Sequence, residues 1–140
     1  ERWAQARARG YGITDPRELA DAVRQCGRML VRFQTHPLYR EMDEAERRLH
    51  EVPYSVTVDG KIESGIIDAL YLRDDGWTVA EFKTDRVDDR ADFERLLKRE
   101  DYLAQARRYA KAVERLVGQR PRVVLCMLNY GGAVRLHWVG

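Results

Sequence analysis

Cysteine is scarce: the 140 residues hold two, Cys26 and Cys126, and no C-x-x-C pair. A thiolate zinc site or an iron–sulfur cluster is therefore excluded, since each needs about four suitably spaced sulfur ligands. Both thiols are expected to be reduced core residues. No apolar run approaches about 18 residues and no charged-then-apolar leader opens the chain, so neither a membrane span nor a secretory signal is expected. Nor is there a Walker A sequence, a repeat, a low-complexity tract or a Pro/Gly-rich linker. A motor enzyme is excluded as the whole of this chain. Domains cluster at about 100–150 residues, so a single domain over 1–140 is expected, with a helical part at about 1–50 and a core at about 51–140. The first residue is Glu1 rather than Met, which predicts a fragment of a longer protein or a processed chain.

What is present is charge, at 34% of residues, with 25 basic against 23 acidic side chains and a net +2. The small total hides segregation: the net charge is +3 over residues 1–35, −8 over 36–94, +6 over 95–122 and +1 over 123–140. Such asymmetry points to a cation-binding patch on one face and an anionic partner on another, or else to solvated helix faces. A soluble intracellular protein is the expectation.

The first half is helical in pattern. Asp15-Pro16-Arg17-Glu18 supplies an N-cap, a proline at the first helical position and a capping-box glutamate, followed by apolar Leu19, Val23, Leu30 and Phe33. A second helix is predicted from Pro37 through Met42 and Ala45 to Leu49. From Val52 the period becomes that of strands, punctuated by turns at Asp59-Gly60, Asp74-Asp75-Gly76 and Asn129-Tyr130-Gly131-Gly132. Strands are predicted at about 52–58, 61–73, 77–84, 122–129 and 133–139, with one helix over about 90–117 that stops at Gly118. A crossover helix after a three-stranded meander implies a mixed sheet, in the α/β or α+β class.

Alternation puts Glu81 and Lys83 on one face of their strand and Phe82 on the other. If Asp75-Gly76 is a two-residue hairpin loop, Asp68 lies opposite Lys83; if Asp74-Asp75 is, Asp68 lies opposite Glu81. Either way Asp68, Glu81 and Lys83 share a face. Two adjacent carboxylates in apolar strands cost several kcal/mol in desolvation and repel one another. A lysine and a hard divalent cation would compensate them, through carboxylate oxygens, a backbone carbonyl and waters. The alternative is an edge-exposed Glu81–Lys83 salt bridge.

Gly65-x-x-Asp68, then Glu81-x-Lys83-Thr84-Asp85, then Tyr102-x-x-Gln105-x-x-x-Tyr109 on a helix resemble the PD-(D/E)XK nuclease superfamily. The similar branch is the RecB/AddA-type nuclease domain of UvrD-like helicases, matched from about Glu51 to Tyr109. The resemblance implies a restriction-endonuclease-like core, a mixed central β-sheet flanked by helices. It further implies a Mg²⁺-dependent deoxyribonuclease, with Mn²⁺ as an alternative ion, acting as an exonuclease in DNA repair and recombination. The implied partners are DNA and a helicase motor domain or subunit, in a bacterial or archaeal cytoplasm. Asp68 and Glu81 would be metal ligands together with the Phe82 backbone carbonyl, and Lys83 the catalytic lysine. Tyr102, Gln105 and Tyr109 would support the active site or contact DNA, and Glu51 is an accessory ligand or equally a surface charge. Basic residues of 95–122, such as Arg107 and Lys111, would neutralise phosphates. The branch usually has Asp where Glu81 stands, and many relatives carry an upstream helical histidine. Residues 1–35 contain none, and His36, His50 and His137 do not fit that place. A second reading is a non-catalytic module of the same fold that binds DNA or docks a repair partner.

Overall fold

A computed structural model describes residues 6–7, 10–74 and 76–140. The elements are α1 (Pro16–Gln34), α2 (Pro37–Asp43), β1 (Arg47–Val58), β2 (Lys61–Arg73), β3 (Gly76–Lys83), α3 (Arg90–Arg99), α4 (Tyr102–Val117), β4 (Arg122–Tyr130) and β5 (Ala133–Val139). One five-stranded sheet runs β1-β2-β3-β4-β5. The β3–β4 pair is parallel and the other three pairs are antiparallel. The expected mixed sheet with flanking helices is present.

Local chemistry explains the element ends. The Asp15 carboxylate accepts hydrogen bonds from the Arg17 and Glu18 amides at 2.7 and 3.1 Å, closing the start of α1. The β1–β2 turn has φ of 50° at Asp59 and 76° at Gly60, the two positive values that a tight hairpin requires. Gly118, at φ 75°, ends α4.

Helices cover both faces of the sheet. On one face Leu38 and Met42 of α2, with Met29 and Phe33 of α1, pack on Ala69, Tyr71, Ala80, Val124 and Cys126. On the other, Ala106, Tyr109, Ala112 and Val113 of α4 pack on Tyr54, Ile67, Leu70, Val79 and Leu125. Six consecutive residues of β4, 123–128, are accordingly buried, whereas β1 alternates. That is the contrast expected between a central strand covered on both faces and an edge strand covered on one.

Five expectations fail. The second helix ends at Asp43, not Leu49, because residues 47–50 and 52–58 find ladder partners along the long β2. His50, expected near a helix end, therefore lies in β1. The single helix expected over 90–117 is two: Asp101 adopts a left-handed φ of 54° and breaks it, a conformation that Asp tolerates better than most residues. Cys26 is exposed, not core. Leu30 is also 58% exposed, because α1 meets the sheet mainly through Met29 and Phe33.

Candidate active site

The β2–β3 register places Arg73 opposite Gly76 and Ala69 opposite Ala80, so the loop is Asp74-Asp75 and the next pair in line is Asp68 with Glu81. Asp75 itself lies outside the described residues. Regular pairing stops at Ala69–Ala80, and the carboxylates take over. The Asp68 amide donates to Glu81 Oε1 at 3.0 Å, and the Phe82 amide donates to Asp68 Oδ2 at 2.9 Å. Beyond this point β2 continues on β1 and β3 on β4. The two strands part at the two acids.

The side-chain alternation slips at the same level. Ile67 and Leu70 face the same core, with Ala69 and Tyr71 on the other face. Glu51, level with Asp68 in the β1–β2 register, has φ of 49°, a strained value for a residue with a Cβ. It is exposed, and it does not join Asp68 and Glu81 in a three-acid group; among the described residues no set of three His, Cys, Asp or Glu could hold a metal.

Glu81 is 2% exposed in the buried stretch of β3. Burial is the largest effect on its carboxyl and pushes the pKa up from 4.5 to about 7; the neighbouring Asp68 charge adds to this, while the Asp68 amide and Lys83 oppose it. Lys83 Nζ lies 3.6 Å from Glu81 Oε2, donates to Gln105 Oε1 at 2.8 Å and stands 4.2 Å above the Tyr102 ring. A partly desolvated ammonium over an aromatic face gains about 1–2 kcal/mol. Gln105 Nε2 in turn donates to Tyr109 Oη at 3.1 Å. Burial first, and the Glu81 charge next, push the Tyr109 phenol up to about 12. It therefore remains protonated at neutral pH. The structure thus brings Asp68, Glu81, Lys83, Tyr102, Gln105 and Tyr109 into one connected cluster.

Two participants carry no role in the sequence reading. Asp85 accepts from Tyr102 Oη at 2.7 Å and so fixes the ring beneath Lys83. Its place in Glu81-x-Lys83-Thr84-Asp85 was the available signal. Tyr54 meets Tyr109 edge to face at 5.6 Å and lies over Gly65, where an added Cβ would come within 2.9 Å of the Tyr54 ring. The motif glycine is needed for that close approach. Gly65→Ala is expected to destabilise the fold by about 1–3 kcal/mol, the usual cost of overpacking, as a lowered denaturation midpoint. His36 caps α2 through Nδ1, which accepts from the Leu38 amide at 3.2 Å, and His137 packs against Phe93 with centroids 5.3 Å apart, so neither belongs to the cluster.

No protein-family model matches the chain. It is similar to an ATP-dependent helicase/nuclease subunit from Heliobacterium modesticaldum, at 33% identity over 100 residues, covering 61% of this chain and 7% of that protein. The protein of the same name from Bacillus cytotoxicus matches at 28% over 123 residues, covering 75% of this chain and 10% of its own length. The chain thus spans a tenth or less of these relatives. Among solved structures, a Eubacterium rectale protein provisionally named an exonuclease superposes with a TM-score of 0.62 at 12% identity, over 86% of this chain and 46% of that one. The chain shares the fold of that structure, a mixed sheet flanked by helices. In this fold the acid pair sits where the central β2–β3 ladder opens, with Lys83 beside it.

Proposed function

We propose that the chain is a divalent-metal-dependent DNA nuclease module of a helicase–nuclease, cutting phosphodiester bonds from DNA ends during repair and recombination. The observation that carries this reading is the convergence of Asp68, Glu81 and Lys83 where β2 and β3 part. The similarity to helicase/nuclease proteins supports it, and suggests a helicase motor in the same or an associated chain as partner.

The residues present fit a hard cation. Each carboxylate gives one oxygen to a backbone amide, the second Glu81 oxygen faces the Lys83 ammonium at 3.6 Å, and burial holds the Glu81 carboxyl partly protonated near neutral pH. Asp68, Glu81 and the Phe82 carbonyl would hold Mg²⁺ or Mn²⁺, completed by water as Mg²⁺ prefers. When bound, the ion would supply a water of lowered pKa and charge stabilisation at the phosphoryl oxygens. The protein's own part is positional. Gln105 and the Tyr102 face hold the Lys83 ammonium beside Glu81, where it orients the attacking water and balances developing negative charge. Tyr109 fixes the Gln105 amide so that its oxygen, not its nitrogen, faces Lys83.

Incubating the chain with linear and circular single-stranded DNA and Mg²⁺ or Mn²⁺ tests the reading. Shortening of the linear substrate alone is expected, abolished by chelator and lowered at least about 100-fold by Asp68→Asn, the scale of losing one preorganised electrostatic group. Cutting of the circular DNA would overturn the exonuclease mode. An absence of metal-dependent cleavage, or full activity in Asp68→Asn, would overturn the nuclease reading.

A further inference from the structure

A second charged concavity lies at the same end of the sheet, on the α1 face. It has a volume of about 470 Å³ and is lined by Arg28 and Arg32 of α1, Arg86 beyond β3, Asp88, Asn129 and the Gly131-Gly132 turn. Arg28 and Arg32 are one helical turn apart and project on one side. Neither makes an ion pair among the described residues, whereas Arg24 of the same helix pairs with Asp21. Arg86 pairs with Asp88 at 2.9 Å, so the pocket carries three guanidiniums against one carboxylate.

The backbone builds this pocket firmly. After β3 the chain runs alongside the end of β4: the Val87 amide donates to the Asn129 carbonyl at 3.0 Å and the Gly131 amide to the Val87 carbonyl at 2.7 Å. Val87 is fully buried, and Arg86 is thereby held at the pocket wall. The two glycines put no side chain over its mouth. Arg86 follows Lys83 by three residues, at most about 11 Å of chain.

We infer that Arg28, Arg32 and Arg86 form a phosphate subsite that grips the backbone of single-stranded DNA on the far side of the sheet edge from the acid pair. The inference rests on the reading of DNA as substrate. Guanidinium forks match phosphate oxygens, and a pair left without carboxylate partners is available for them. The ligand is a single strand because the acid pair lies on the α4 face and this pocket on the α1 face. A strand linking them must turn sharply over the sheet edge, and duplex DNA, with a persistence length of about 150 bp, resists that bend.

The test is fluorescence anisotropy of a labelled oligothymidylate with the 140-residue chain in chelator, so that no cleavage enters. The paired variant Arg28→Gln/Arg32→Gln is expected to bind about tenfold more weakly. It should also lower the slope of log K against log salt by about 1.4, at about 0.7 per phosphate neutralised on a single strand. The matched variant Arg17→Gln/Arg24→Gln removes the same charge from the same helix and is expected to stay within about twofold of the parent. Glutamine is a good helix former, and circular dichroism checks that α1 survives. Unchanged affinity and slope in the first pair, or an equal loss in the second, overturns the subsite. Binding is read here in chelator and cleavage separately in the presence of metal, so failure of the subsite and failure of the nuclease reading are told apart.

Discussion

Lys83→Ala is expected to lower the single-turnover rate of metal-dependent DNA cleavage by about 10²–10⁴-fold, the range for removing a positioned proton-transfer or charge-stabilising group. The size of the effect follows from how Lys83 is held. Its side chain is only 11% exposed, and Gln105, Tyr102 and Glu81 surround the ammonium with an acceptor, an aromatic face and a carboxylate. Water cannot replace a charge that was already in place. Arginine should rescue poorly, because a planar fork cannot occupy a point-charge site of this kind. The measurement belongs at saturating metal and at a pH well above the Glu81 value, so that loss of the neighbouring cation does not simply protonate Glu81. A rate within about threefold of the parent would show that Lys83 is a structural partner of Glu81 and nothing more.

The second large effect concerns stability and has the opposite sign. The Glu81 carboxyl is raised from 4.5 to about 7 in the folded state. Between these values the native chain retains a proton that the unfolded chain has released, so the Glu81 contribution to stability is greatest below about pH 4.5, falls as pH rises, and levels off above about 7. The full excursion is roughly 3 kcal/mol, at about 1.4 kcal/mol per pKa unit. Glu81→Gln keeps an oxygen that can accept from the Asp68 amide but carries no charge. In metal-free buffer at pH 8 it is expected to melt higher than the parent, by up to about 10 °C for a domain of this size, while losing cleavage. Mg²⁺ should raise the parent's melting temperature at pH 8 and barely at pH 5, and leave Glu81→Gln unmoved. A variant that melts lower than the parent in chelator at pH 8 would refute this account of Glu81.

The site was legible in the sequence to the extent that period-two geometry governs it. Asp68, Glu81 and Lys83 had to share a face under either two-residue loop, and the structure realises the Asp74-Asp75 register. What alternation could not reveal is that the ladder stops there, with side-chain oxygens in place of backbone carbonyls. Nor could it reveal the slip at Glu51, since a positive φ in a non-glycine residue leaves no mark on a hydrophobic pattern. The break at Asp101 is similar: apolar spacing over 90–117 suits one helix, but α3 packs on Val87 and Met127 while α4 packs on the sheet face, and these surfaces require different axes. Tyr102, Gln105 and Tyr109 gained their roles from the resemblance alone; helical spacing could say only that they were neighbours. Arg28 and Arg32 drew no notice in the sequence, and only the fold brings the distant Arg86 and the Gly131-Gly132 turn to the same concavity.

The hydrogen bonds from the Asp68 amide to Glu81 and from the Phe82 amide to Asp68 also join two halves of the sheet, the β1–β2 hairpin and the β3–β5 block. The fold asks these two positions only for an acceptor oxygen at the right reach; the negative charge is asked for by the proposed chemistry. On that proposal, a descendant of this chain without cleavage would be free to lose the charge and not the oxygen. Its signature would be Asn and Gln at 68 and 81, with small or apolar residues excluded by the seam itself.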